Sequence, residues 1–196
     1  MDQTSITIVS GLPRSGTSMM MRMLEAGGME ILTDGARTAD EDNPKGYYEF
    51  ERVKQIEHDH AWLEEAKGKA VKMISALLKH LPQGYAYKIV FMLREMGEIL
   101  ASQKQMLIRR GEPTDRASDE RMAELSESHL NQVKAWLEDQ PHMDVLYVSY
   151  NEILKTPQEH AERINRFLDG RLNVDRMVQA VDPTLYRQRS RSDPSS

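Results

Sequence analysis

The sequence predicts an α/β fold, a three-layer sandwich in which helices cover both faces of a mostly parallel sheet. Short apolar segments rich in β-branched and aromatic residues alternate with stretches of helical character, which is the pattern of a parallel sheet. The length of 196 residues suits one domain with a sizeable core. Ligands of such folds bind at the carboxyl ends of the strands.

The predicted elements follow one another in a regular order. Strands are expected at 5–10, 70–75, 87–93 and 144–149, and helices at 16–26, 52–67, 75–81, 95–110, 116–139 and 158–168. Glycine or proline ends several of these elements, and the polar segment 34–51, with Asn43, Pro44 and Gly46, is expected to be a long loop. We expect one domain over 1–186 and a flexible tail over 187–196.

Composition narrows the range of functions. The 31 acidic and 26 basic residues give a net charge of -5, so the chain has no basic excess for binding nucleic acid. The absence of cysteine excludes disulfides, thiolate zinc sites and cysteine nucleophiles, and it fits a reducing, cytoplasmic location. No apolar run approaches the length of a membrane span, and the polar N-terminus is unlike a signal peptide. We therefore expect neither a nucleic-acid nor a membrane partner.

A glycine-rich segment joins the first predicted strand to the first helix. Residues 11–18 read G-L-P-R-S-G-T-S, and their glycine spacing matches a phosphate-binding loop, so the fold is expected to be of the phosphate-loop NTPase type. We call this segment the phosphate loop. Backbone N–H groups and the helix N-terminus would attract an anion, and Arg14 supplies a cation. The predicted ligand-binding residues of the loop are Arg14, Ser15, Gly16, Thr17 and Ser18. The alternative is a strand-to-helix turn without a ligand.

The loop departs from the motif in one place, because Thr17 stands where phosphate-loop kinases have lysine. Such kinases also need magnesium, usually held by an aspartate at a strand's end. Neither 89–93 nor 146–149 ends in aspartate, and Arg94 follows the former segment instead. This pattern indicates an anion that is bound without a metal.

Three motifs resemble those of sulfotransferases that use 3′-phosphoadenosine-5′-phosphosulfate (PAPS). The first is P-R-S-G-T-S after a strand, and the second is Arg94 at a strand end with Ser102 eight positions later. The third is V-L-Y-V-S-Y-N-E-I-L over 145–154, which looks like the strand and Tyr-Glu-Asp segment of the family. Together with N-P-K-G-Y-Y-E and A-S-Q-K-Q-M-L, they are most similar to compact bacterial-type members.

The resemblance implies a sulfotransferase-like fold and assigns roles in holding PAPS. The phosphate loop would hold the 5′-phosphosulfate, Arg94 and Ser102 would hold the 3′-phosphate, and Tyr150 would line the adenine pocket. The physical requirement agrees, because PAPS has two anionic ends and needs two separated anion sites. Arginine can contact a phosphate through two hydrogen bonds, and a serine hydroxyl can donate another. No metal is implied.

The catalytic residues implied by the resemblance are Arg14, Lys72 and a general base. Lys72 resembles the lysine of the family's Lys-Thr-His motif, although a lysine on an edge strand is an equal alternative. Ile74 stands where that motif has its histidine. Other branches use glutamate, and we place Glu49 first as the base because its turn-rich loop could line the acceptor pocket. His80 is the second candidate.

The predicted activity is sulfuryl transfer from PAPS to a hydroxyl or amine of a small-molecule or carbohydrate acceptor, leaving adenosine 3′,5′-bisphosphate (PAP). Two alternatives stay open: a nucleotide or small-molecule kinase with a degenerate phosphate loop, and a non-catalytic nucleotide-binding module. Near the C-terminus, Arg187, Arg189 and Arg191 form a basic cluster that either contacts the 3′-phosphate or belongs to a flexible tail.

Overall fold

The strands form one parallel sheet in the computed structural model, which describes residues 5–35, 46, 48–114, 118–182 and 184. The strand order over these residues is β2-β1-β3-β4. The strands are β1 (Ile6–Gly11), β2 (Ala70–Lys72), β3 (Tyr87–Leu93) and β4 (Met143–Ser149). The predicted α/β fold with a parallel sheet is confirmed.

Helices occupy most of the connections between the strands. Two of the connections contain 3₁₀ helices, at Glu51–Gln55 and Ser75–His80. The α-helices are α1 (Thr17–Ala26), α2 (Leu63–Ala66), α3 (Met96–Arg109), α4 (Asp119–Glu138), α5 (Tyr150–Lys155), α6 (Pro157–Phe167) and α7 (Val174–Gln179).

The central strands β1 and β3 are buried on both faces of the sheet, which explains why they are mostly apolar. On one face, Val9 and Val90 pack against α1, α5, α6 and α7, and four methionines of α1 fill this layer. On the other face, Ile8 and Phe91 pack against the 3₁₀ helices, α2 and the end of α4. The predicted three layers are therefore present.

The segment after α1 runs beside the outer edge of β2. Ile31 forms a parallel bridge with Ala70, the Leu32 N–H donates to the Ala70 carbonyl, and the Ala70 N–H donates to the Glu30 carbonyl. These bonds cover part of a sheet edge that would otherwise leave backbone groups unpaired. Because Ile31 pairs in the parallel sense, the chain here runs in the same direction as β2.

One predicted helix is wrong. Residues 52–67 form a 3₁₀ turn and the short helix α2 rather than one continuous helix. Asp59 explains the break, because its carboxylate accepts the N–H of Ala61 and ion-pairs with Arg52. Such a local side-chain contact competes with the helical hydrogen bonds.

The predicted tail over 187–196, including Arg187, Arg189 and Arg191, lies outside the described residues. Among the helices that the structure describes, none is both long and apolar enough to cross a membrane.

Candidate active site

The candidate site lies at the carboxyl edge of the sheet, between the central strands β1 and β3. In the order β2-β1-β3-β4, the connection from β1 leads to one edge of the sheet and the connection from β3 leads to the opposite edge. Connections that diverge in this way open a crevice at the strand ends, where α/β proteins bind ligands. The phosphate loop joins β1 to α1 at this crevice.

The backbone of the phosphate loop requires glycine at both ends. Gly11 has φ 148° and Gly16 has φ 98°, and a Cβ added to Gly11 would lie 2.5 Å from Ser15 Oγ and 2.6 Å from the Met92 carbonyl oxygen. Arg14 adopts the left-handed conformation with φ 70°. The loop therefore curls tightly over the end of β1, which is the kind of backbone shape that presents N–H groups to an anion.

The phosphate loop contains a buried hydroxyl, that of Ser15. Ser15 is 1% exposed, and its Oγ has no hydrogen-bond partner among the residues that the structure describes. Helix α1 begins at Thr17, and its N-cap residue, Gly16, has no side chain that could cap the helix. Both features suit a bound anion, because buried hydroxyls and the first N–H groups of a helix otherwise lack partners.

Gly16 also allows Tyr150 to pack against the loop. A Cβ on Gly16 would lie 2.4 Å from Tyr150 Cδ2, so the ring of this residue at the start of α5 contacts the loop backbone directly. Burial raises the pKa of the Tyr150 hydroxyl above its ordinary value. Tyr150 therefore forms an apolar wall beside the phosphate loop.

Replacing Gly16 with alanine is expected to destabilise the protein more than replacing Gly28, which has nearly the same φ of 97°. In both variants, holding alanine in the left-handed conformation lowers the free energy of unfolding by about 1–2 kcal/mol. Gly16→Ala adds about 1–3 kcal/mol to this loss because its Cβ meets Tyr150. No described atom beyond its chain neighbours lies within 4 Å of a Cβ on Gly28. Equal denaturant midpoints for the two variants would contradict the packing of Tyr150 on Gly16.

The two arginines predicted to bind anions are linked to each other. Arg14 Nε donates a hydrogen bond to Ser102 Oγ at 2.9 Å, and Arg94 Nη1 donates to the Arg14 carbonyl oxygen at 3.1 Å. The phosphate loop is thus tied to β3 through Arg94 and to α3 through Ser102. The structure therefore brings Arg14, Arg94 and Ser102 together.

Arg94 is held on several sides. Its guanidinium carbon lies 4.5 Å from the centre of the Tyr150 ring, a cation–π contact. Its Nε donates to Glu98 Oε2 at 2.9 Å, and the side chains of Arg94 and Glu98 are only 8% and 1% exposed. Asn151 donates to both oxygens of Glu98 at 3.1 Å. Neither Glu98 nor Asn151 is among the site residues predicted from the sequence.

Lys72 reaches the other side of the phosphate loop from the end of β2. Its Nζ lies 3.5 Å from Ser18 Oγ, in the first turn of α1, and 4.0 Å from Glu49 Oε1. The side chains of Lys72 and Glu49 are 14% and 23% exposed, so both lie in a partly enclosed position. The structure therefore places an ammonium and a carboxylate beside the start of α1.

The segment that carries Glu49 is anchored to the body of the domain. Tyr48 donates a hydrogen bond to Glu25 Oε2 on α1 at 2.7 Å, and burial together with this bond raises the pKa of the Tyr48 hydroxyl. Thr33 donates to the Glu49 carbonyl oxygen at 2.8 Å. The Glu51 N–H donates to the Asp34 carboxylate at 2.6 Å. These bonds hold the two ends of the loop together and fix the position of Glu49.

The second candidate base, His80, is the last residue of the 3₁₀ helix that follows β2. A different histidine contacts the beginning of that helix, because His129 Nε2 on α4 lies 2.9 Å from Ser75 Oγ. No local pattern could have found this contact, since it joins positions far apart in the sequence.

A family model for the sulfotransferase domain matches residues 5–196. The chain belongs to the sulfotransferase domain family. No curated protein sequence matches it significantly.

Solved sulfotransferases share this fold at low sequence identity. A sulfotransferase domain from the Synechococcus PCC 7002 olefin synthase has 16% identity and a TM-score of 0.58, over 98% of this chain and 90% of that one. A sulfotransferase domain from the curacin biosynthetic pathway has 14% identity and a TM-score of 0.54, over 91% and 78%. The mouse sulfotransferase SULT7A1 complexed with PAP has 18% identity and a TM-score of 0.55, over 99% and 69%.

Proposed function

We propose that this sulfotransferase uses PAPS and transfers its sulfuryl group, without a metal ion, to a hydroxyl or amine of a small-molecule or carbohydrate acceptor. The observation that carries the proposal is the tightly curled phosphate loop, in which Gly11 and Gly16 leave no room for a Cβ and the Ser15 hydroxyl is buried. Beside this loop, Arg94 supplies a guanidinium at the end of the neighbouring strand β3. The mouse sulfotransferase, which has a similar fold, was solved in complex with PAP, a nucleotide that carries a 3′-phosphate and a 5′-phosphate.

The residues present fit such a donor. The glycines of the phosphate loop leave no room for side chains where the backbone curls, and the buried Ser15 hydroxyl has no protein partner among the described residues. Arg94 and Ser102 supply a guanidinium and a hydroxyl for a second anionic group. Tyr150 offers an apolar ring between the loop and Arg94, suited to contact with a base.

The reaction breaks the S–O bond between the sulfuryl group and the 5′-phosphate of PAPS while the acceptor oxygen or nitrogen forms a new bond to sulfur. Arg14 and the N–H groups of the loop stabilise the negative charge that grows on the departing phosphate. Lys72 contacts the sulfuryl oxygens from the end of β2. Glu49, 4.0 Å from Lys72, accepts the proton that the acceptor loses.

PAP is expected to bind this protein more tightly than adenosine 5′-monophosphate (AMP), because only PAP carries a 3′-phosphate. Arg94→Ala should weaken PAP binding about 10- to 100-fold, the usual effect of losing a hydrogen bond to a charged group. AMP binding should weaken less, because AMP has no 3′-phosphate for Arg94 to contact. Calorimetry with both nucleotides measures this difference, and Arg121→Ala is the control because Arg121 pairs with Glu124 on the exposed face of α4.

Equal affinities of the unmodified protein for PAP and AMP would contradict the 3′-phosphate site. Turnover is tested with labelled PAPS and a panel of phenols, alcohols, amines and sugars in EDTA. Release of PAP with transfer of label supports the proposed reaction. Binding of PAP without transfer to any member of the panel favours a non-catalytic module, and activity that requires added magnesium and ATP favours the kinase.

A further inference from the structure

Glu98 is a buried carboxylate that the roles above do not use. It lies in the first turn of α3 and is 1% exposed. Burying an ion pair costs several kcal/mol for each ion, and apolar residues in its place often give equal or greater stability. A buried pair at the carboxyl edge of the sheet, rather than in the core, is therefore a poor way to gain stability alone.

The hydrogen bonds around Glu98 form a network in which each donor and acceptor is defined. Glu98 accepts from Arg94 Nε and from the amide nitrogen of Asn151. The amide oxygen of Asn151 accepts from the Glu95 N–H at 3.4 Å, which determines which end of the amide faces Glu98. Arg94 and Asn151 thus both donate to Glu98, which suits an ionised carboxylate because it only accepts hydrogen bonds.

This hydrogen-bond network determines the orientation of the Arg94 guanidinium. Glu98 holds its Nε, the Arg14 carbonyl oxygen holds Nη1, and the Tyr150 ring lies against its face. A side chain that is held in this way loses little further rotational freedom when it binds an anion, which favours affinity. The same contacts support the left-handed Arg14 by holding its carbonyl oxygen.

We propose that Glu98 and Asn151 form a positioning pair that orients Arg94 for the 3′-phosphate of the donor. This inference rests on the proposed function, because it assigns the pair to the second anion site. Neither residue touches the donor in this proposal, and both act through Arg94.

The test uses glutamine and aspartate to exchange donors and acceptors across the pair. In Glu98→Gln, the new amide N–H₂ faces either Arg94 Nε or the Asn151 amide, so two donors oppose each other. In the double variant Glu98→Gln/Asn151→Asp, the introduced glutamine can accept from Arg94 and donate to the introduced aspartate. That aspartate can still accept the Glu95 N–H, so the match of donors and acceptors returns with the same total charge.

Affinities for PAP and AMP are measured by calorimetry for the full chain, with melting temperature as the readout of stability. Glu98→Gln is expected to weaken PAP binding about 10- to 100-fold and AMP binding at most about 3-fold. The double variant should recover most of the lost PAP affinity. A purely structural role predicts parallel losses for the two nucleotides, and that result overturns the proposal.

Two further outcomes are separable. If the unmodified protein binds PAP and AMP equally, the proposed donor fails and the positioning role falls with it. If it prefers PAP and Glu98→Gln keeps the full preference, the positioning role alone is wrong. Should Glu98→Gln not fold, Asn151→Ala carries the test, because it leaves the Arg94–Glu98 pair in place. It should reduce the preference for PAP about 3- to 10-fold, and an unchanged preference overturns the proposal.

Discussion

Replacing Glu49 with glutamine is expected to lower turnover about 10²–10⁴-fold, the usual range for a lost general base, while PAP affinity stays unchanged. Glutamine has the same size as glutamate, but its amide cannot take the acceptor's proton. The bonds that anchor this segment involve the Glu49 backbone and Tyr48, so the loop should keep its place in the variant. Steady-state rates with labelled PAPS, together with calorimetry of PAP, measure the two effects.

Two variants serve as controls for the Glu49 prediction. Glu51→Gln removes a nearby carboxylate that is exposed and paired with Lys54, and it should leave turnover nearly unchanged. His80→Asn should also have a small effect, since His80 ends a 3₁₀ helix beyond β2. A larger loss in His80→Asn than in Glu49→Gln would show that the base is wrongly assigned. The largest loss in His129→Asn would instead move the role to the histidine beside Ser75.

The strands were the most predictable part of the fold. The predicted segment 87–93 coincides with β3, and β1 and β4 each differ from their predictions by one residue at one or both ends. Strands in a parallel sheet that is buried on both faces are apolar throughout, so their sequence signal is strong. The predicted segment 70–75 is too long, because β2 ends at Lys72 and a 3₁₀ helix starts at Ser75.

Short helices were the least predictable part. The six-residue helices α5 and α7 are capped by Ser149 and Asn173, which precede them and whose side chains accept backbone N–H groups of the first turn. Such helices are too short for an apolar repeat to emerge, and tertiary packing gives them most of their stability. The break at Asp59 was also not predicted, because it depends on a single hydrogen bond from the Ala61 N–H to the Asp59 carboxylate in a segment of otherwise helical character.

The candidate site was predictable where the motif is local. The phosphate loop lies within one strand-to-helix connection, and Arg94 and Ser102 lie at one end of β3 and on the helix that follows. Lys72 lies at the end of β2 and Glu49 lies in the loop after α1, so no local sequence pattern predicts that they are in contact. Glu98 had a detectable signal, since arginine and glutamate four positions apart often pair near a helix start, but its burial could not be inferred.

Replacing Arg14 with alanine is expected to lower kcat about 10²–10³-fold, the usual effect of removing one preorganised donor to developing charge. PAP affinity should fall less, by about 10-fold, because the loop N–H groups, Arg94 and Ser102 remain. The reason for the difference is that negative charge on the 5′-phosphate increases as the S–O bond breaks. An interaction that is stronger in the transition state than in the bound state contributes mainly to kcat.

The charge and the geometry of Arg14 can be separated with a second variant. Arg14→Lys keeps the positive charge but loses the planar group whose Nε contacts Ser102. It should retain most of the turnover if charge on the leaving phosphate is the main requirement, and it should resemble Arg14→Ala if the bond to Ser102 orients the donor. An unchanged kcat with only a raised KM in Arg14→Ala would place Arg14 in ground-state binding alone. In that case Lys72, on the opposite side of the loop and 3.5 Å from Ser18, becomes the residue that stabilises the transition state.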